Sequence, residues 1–141
     1  MYENFTHQAL PSKEYRELLG TAICVFNSNN SFIIENILAH DHANIYSWYD
    51  LIDRTSGQLK QQIEETISRI SGQKIFDLFS AIVKKRNRIS HSFQITDVNG
   101  EQILRTKDEN NNQYNITADF LMDFIKDNEE ISNLLHSLRG Y

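Results

Sequence analysis

Arg86, Asn87 and His91 fall within one six-residue run, Arg86-Asn87-Arg88-Ile89-Ser90-His91, with Lys84 and Lys85 directly before it. An imidazole titrates near neutral pH and can pass a proton in either direction. A guanidinium grips phosphate oxygens with a planar fork and stabilises negative charge as it builds. Asn87 and His91 are spaced to be neighbours on a helix, with Arg86 roughly 100° round from Asn87. These are the parts for cleaving an RNA phosphodiester without a metal, because the 2′-hydroxyl is itself the nucleophile. The protein need supply only proton transfer and charge stabilisation. In that reading His91 is the general acid/base, Arg86 steadies the transition state and Asn87 orients the imidazole or the phosphate. Lys84, Lys85 and Arg88 then attract the RNA backbone. The same residues also fit a plain basic helix end, whose cations complement the helix dipole. Spacing alone leaves both readings open.

The element that must position them runs through residues 74–93. Ile75, Phe79, Ile82 and Ile89 share one helical face there. Arg86 is four residues after Ile82 and three before Ile89, so it belongs to the same stripe. A guanidinium on an apolar face must be paired or must open into a cleft.

The flanking chain predicts an all-α architecture. Four or five helices form an up-and-down bundle, with a small β-hairpin inserted before the last helix. Residues 1–11 read as a leader ending at Pro11. Ser12 caps a first helix with Glu14 in its opening turn. Asn27-Ser28-Asn29-Asn30 should kink or end it, since these side chains compete for backbone hydrogen bonds. A further apolar run, Phe32 to Leu38, contains Glu35, which either faces solvent or pairs with a buried cation. His40, Asp41 and His42 read as a loop, because two histidines two apart share no helix face and nothing nearby completes a metal site. Residues 44–54 are helical in pattern, with Ile45, Trp48, Leu51 and Ile52 as the inner face. Thr55 and Gln58 fit a capping box, with Gly57 inside it suited to close helix packing. Leu59, Ile63, Ile67 and Ile70 carry the next helix up to Ser71-Gly72. After His91 the period changes from 3.6 to 2, and Asn99-Gly100 predicts a type I′ hairpin turn. Residues 107–113 read as a polar loop, followed by a short third strand at Tyr114-Asn115-Ile116. The last helix opens at Thr117 or Asp119, repeats Phe120, Leu121, Phe124, Ile125, Ile131, Leu134, Leu135 and Leu138, and stops at Gly140.

Length and composition bound the rest. A chain of 141 residues, 40% hydrophobic and 23% charged, is sized for one globular domain over 1–141. Its net charge of -5 supplies no global field for nucleic acid, so any such site is a local patch. A single cysteine, Cys24, excludes an internal disulfide framework, and its apolar neighbours predict a buried thiol. The N-terminus lacks the basic and apolar segments of a signal peptide, and no apolar run is long enough for a membrane span. The expected location is the cytoplasm, with no membrane partner. No metal or cofactor is called for, and the chain carries no glycine-rich phosphate loop.

The run Arg-Asn-Arg-Ile-Ser-His, late in a helical domain, resembles the R-x4–6-H motif of the HEPN superfamily. In that family a polar residue directly after the arginine is typical, and Asn87 matches it. The motif's arginine and histidine map to Arg86 and His91. The resemblance implies a small helical domain and a homodimer whose two motifs face one cleft as a composite endoribonuclease site. It further implies a role as a toxin or phage-defence effector, with an antitoxin protein as a possible partner. Many HEPN toxins carry a modifiable tyrosine two residues after the histidine; Phe93 stands there instead. The alternative is a non-catalytic helical module for dimerisation, protein interaction or RNA binding.

Overall fold

The computed structural model describes residues 3–140. The elements follow in the order α1 (Lys13–Ala39), α2 (Trp48–Ile52), a 3-10 turn (Ser56–Leu59), α3 (Lys60–Glu65) and α4 (Ile67–Ser71). After these come α5 (Lys74–Ser90), β1 (Phe93–Thr96), β2 (Gln102–Lys107), β3 (Gln113–Ile116) and α6 (Ala118–Arg139). The long helices α1, α5 and α6 pack on one another, with α1 lying along α6. Their shared core centres on Phe26, Phe79 and Phe124, whose rings stack at centroid separations of 6.4 Å and 6.1 Å.

The helix ends obey their caps. Ser12 Oγ accepts from the Tyr15 amide at 3.1 Å and Thr117 Oγ1 from the Phe120 amide at 3.1 Å. Gly140 closes α6 in the left-handed region at φ 84°.

The architecture is mixed α/β, which corrects the all-α expectation. The strands form one antiparallel sheet in the order β1-β2-β3, not a lone hairpin between helices. The cause lies in the loop at 108–112, which is a second tight turn. Asp108 Oδ1 accepts from the amides of Asn110 and Asn112, both at 2.9 Å, and Asn111 takes φ 66°. That brings Gln113 opposite Lys107 and extends the ladder to Leu104 opposite Ile116. The first turn is built the same way. Asp97 Oδ1 accepts from Asn99 and Glu101, and of the central residues only Gly100, at φ 80°, is left-handed. The expected type I′ turn would need positive φ at Asn99 too. The loop has three residues with the left-handed one last, the geometry that joins a type I turn to a bulge.

The sheet is tied to the helices by Tyr15. Its hydroxyl donates to the Ile116 carbonyl at 2.6 Å and accepts from the Leu104 amide at 3.1 Å. Those two residues face each other across β2 and β3, so the phenol is inserted into the ladder. Burial pushes the Tyr15 hydroxyl above its ordinary pKa.

Several local expectations are revised. α1 runs unbroken through Asn27–Asn30. Asn29 and Asn30 satisfy tertiary partners instead of competing with the helix, and Asn27 and Ser28 are exposed. Asn29 Nδ2 donates to the Asn128 carbonyl and Oδ1 at 2.8 and 2.9 Å, and Asn30 Oδ1 accepts from Ser56 Oγ at 2.7 Å. Glu35 faces solvent. Residues 44–54 keep only the five-residue α2, and of its expected inner face Leu51 alone is buried. Gln58 Oε1 accepts from the Thr55 amide at 3.0 Å, as a capping box requires. Gly57, by contrast, sits in open space and packs against nothing. The helix expected over Leu59–Ile70 breaks at Thr66, and Ile70 is exposed. Cys24 is exposed on the outer side of α1, not buried. The segment before Pro11 is strapped down: Glu3 pairs with Arg16 at 2.6 Å, and the Ala9 carbonyl accepts from Gln94 Nε2 at 2.8 Å. No helix among the described residues is long and apolar enough to cross a membrane.

Candidate active site at the end of α5

α5 buries Ile75, Phe79, Ile82, Val83 and Ile89 against the bundle. Arg86 continues that buried stripe where the bundle ends, and it is half-buried. Its guanidinium lies over the Phe26 ring, 5.1 Å from the centroid. Nη1 reaches Ser90 Oγ at 3.3 Å, a long contact. Among the described residues no carboxylate pairs with it. Of the two outcomes open to an arginine on an apolar face, this one opens into a cleft. The cleft is a groove of about 360 Å³ between α1, the end of α5 and β2. Leu19, Ile23 and Leu104 wall it, Phe26 and Phe124 floor it, and Asn27 and Ser90 stand with Arg86 as its polar groups.

His91 is the C-cap of α5, and its amide donates to the Asn87 carbonyl at 2.9 Å. Its imidazole is exposed and has no hydrogen-bond partner among the described residues. Arg86 and His91 are five positions apart, roughly 140° round the helix axis. Asn87 turns away from Arg86 and lines a second groove of about 370 Å³ with Lys84, Lys85 and Arg88. Asp108, Glu109 and Tyr114 form the facing wall. Five of the six residues singled out in sequence are therefore divided between two grooves, and His91 lines neither. Arg86 belongs to the apolar groove, and Asn87, Lys84, Lys85 and Arg88 to the outer one.

The cations differ in availability. Lys84 is exposed and unpaired among the described residues. Lys85 Nζ is held by Asp127 Oδ2 at 2.6 Å. Arg88 donates to the Lys107 carbonyl, which fastens the start of the second turn to α5. With Asp108 and Glu109 opposite, the outer groove is a mixed-charge channel, not a uniformly basic one.

Sequence reasoning missed Leu19, Ile23, Phe26 and Asn27, which α1 brings beside Arg86. No local signal marks them, because the pairing exists only once α1 and α5 pack. It also missed a larger groove of about 440 Å³ at the far end of α1, bordered by His40, Asp41, Tyr46, Glu65 and Arg69. There Tyr46 donates to Glu65, which pushes the phenol up to about 12 and holds the carboxyl below its usual range. His40 and His42 sit in the expected loop. Among the described residues no three metal-ligating side chains converge, there or elsewhere. Comparisons with protein-family models, with characterised proteins and with solved structures find no match for this chain.

Proposed function

We propose that this chain is a metal-independent endoribonuclease whose site is completed by a second copy of itself. One observation carries the reading: Arg86 sits half-buried over Phe26, at a groove, with no carboxylate partner among the described residues. A guanidinium kept there costs desolvation that no ion pair returns, so its use is expected to lie with a ligand. A phosphodiester has the required charge.

The 2′-hydroxyl attacks phosphorus while an imidazole accepts its proton. The bond to the 5′-oxygen breaks, and that oxygen leaves with a proton from a general acid. The products are a 2′,3′-cyclic phosphate and a 5′-hydroxyl. Arg86 stabilises the extra negative charge on the equatorial oxygens. His91 moves the proton, and Asn87 with Lys84 and Arg88 steadies the strand along the outer groove. Because Arg86 and His91 diverge round one helix, the working pair is Arg86 of one copy and His91 of another. Resemblance to HEPN domains supports that dimeric arrangement and a role in growth arrest or phage defence, with an antitoxin as possible partner.

The test is incubation of labelled RNA with the protein in EDTA, beside Arg86→Ala and His91→Ala. Both variants should fold and fail to cleave, and mixing them should restore activity through a hybrid dimer. Cleavage that persists in His91→Ala overturns the reading. The competing reading is a non-catalytic interaction module. It draws on the exposed Ile45, Trp48, Tyr49, Ile52 and Ile70 around α2 and α4. Equal RNA decay with and without Arg86 and His91 would favour it.

A further inference from the structure

The groove beside Arg86 is built for more than a phosphate. Its walls and floor are apolar side chains, and the polar groups on it are one guanidinium, one carboxamide and one hydroxyl. No carboxylate lines it. A ligand that satisfies this set has a flat apolar body and an adjacent anion. Given the ribonuclease reading, on which this inference rests, that ligand is a nucleotide within RNA. A volume of about 360 Å³ is at the small end of ligand pockets and admits one base, not a stacked stem.

We infer that the groove takes an unpaired base of single-stranded RNA, with the neighbouring phosphate on Arg86, and that Asn27 selects the base. Sequence-specific RNA recognition generally targets unstacked bases of single strands, whose edges are free. The long Ser90 contact of Arg86 is readily exchanged for a charge-assisted bond to phosphate, which is stronger. Asn27 is exposed at the rim. A carboxamide presents a donor and an acceptor side by side, the pair that complements the N6 amino group and N7 of adenine. The substrate class is therefore RNA cleaved 3′ of an extruded base, adenine preferred.

The experiment is binding of the four ribonucleoside 3′-monophosphates, with inorganic phosphate as the base-free control, followed by chemical-shift titration. Wild type should bind the adenosine compound at least tenfold tighter than phosphate. Ile23→Trp fills the mouth of the groove from an exposed position and should erase that difference. Asn27→Asp removes the donor and should move preference from adenosine toward cytidine, whose amino group still has an acceptor. Failure of wild type to distinguish adenosine monophosphate from phosphate overturns the inference. So does Ile23→Trp binding like wild type while its sedimentation changes, which would mark the groove as a covered dimer face. Cleavage is not needed for this readout. Discriminating binding without RNA cleavage sinks the nuclease reading alone, and cleavage without discrimination sinks the base pocket alone.

Discussion

Replacing Arg86 with methionine should stabilise the protein and, on the proposed ribonuclease reading, abolish RNA cleavage. The guanidinium lies on the Phe26 ring, a contact contributing about 0.5–1 kcal/mol at a partly exposed site. The Ser90 contact, at 3.3 Å, adds at most about 0.5 kcal/mol. Against these stands a charge half removed from water between Ile82 and Ile89, with no ion pair among the described residues. Full burial of such a group costs several kcal/mol, so half-burial costs about 2 kcal/mol. Methionine keeps the unbranched stem that already packs there and carries no charge. The balance favours Arg86→Met by about 1 kcal/mol, a rise in melting temperature of about 3 °C for a domain of this size. Urea denaturation at unchanged slope measures it directly. A loss of more than about 1 kcal/mol would mean that Arg86 is a structural anchor, and the argument from an unpaired cation would collapse. A stabilised, inactive variant is the signature of a residue kept for its ligand.

Three further outcomes follow from the same geometry. Tyr15→Phe strands the Leu104 amide and the Ile116 carbonyl, and should cost about 2–3 kcal/mol in urea, with faster hydrogen exchange at Leu104 than in α6. Asn29→Ala should cost about 1–2 kcal/mol, because it leaves Asn128 Oδ1 and the residue-128 carbonyl without their donor, whereas Asn128→Ala should cost less, because Asn29 Nδ2 keeps the backbone carbonyl of residue 128. The double variant should cost less than their sum, since the two changes remove one shared hydrogen bond. Tyr15 and Tyr46 have pKa values raised on folding, the latter to about 12. Above pH 10 these two sites bind fewer protons in the unfolded chain, so their contribution to stability is fully present below pH 10 and should be lost as the pH rises toward 12. Tyr46→Phe should flatten part of that fall, and an unchanged pH profile in that variant would refute it.

Much of the helical frame was legible because its signals are local. Ser12, Thr117 and Gly140 act through groups within a few residues, so their caps form whatever the rest of the chain does. Arg86 could be placed on the core stripe for the same reason, since Ile82 and Ile89 define that face by spacing alone. What the sequence hid was decided by distant partners. Asparagines that should have ended α1 were stabilised by Asn128 and Ser56. The third strand at Tyr114-Asn115-Ile116 was legible, and what composition did not show there was local instead: Asp108 and Asn111 close a tight turn within the polar loop. Cys24 has apolar neighbours in sequence, yet neighbours along a helix face different ways. The groove around Arg86 was equally invisible, as its other wall comes from α1 and β2. The motif marked the charge but not the pocket.

The Asn29–Asn128 pair joins residues 99 positions apart, and Tyr15 reaches 101 positions to Ile116. α1 therefore leaves the ribosome long before either of the elements that satisfy it. Through most of synthesis Phe26, Ile33 and Ile37 have no α6 to cover them, and Asn29 has water for a partner. The nascent chain can preform α1 but cannot lock it, so commitment to the native state waits for α6 to emerge. A ribosome stalled before α6 would carry a sticky, protease-sensitive helix and an Arg86 groove with Phe26 but not Phe124 in its floor. If the domain is an RNA-cleaving effector, that delay keeps each new molecule inert until its chain has been released past α6.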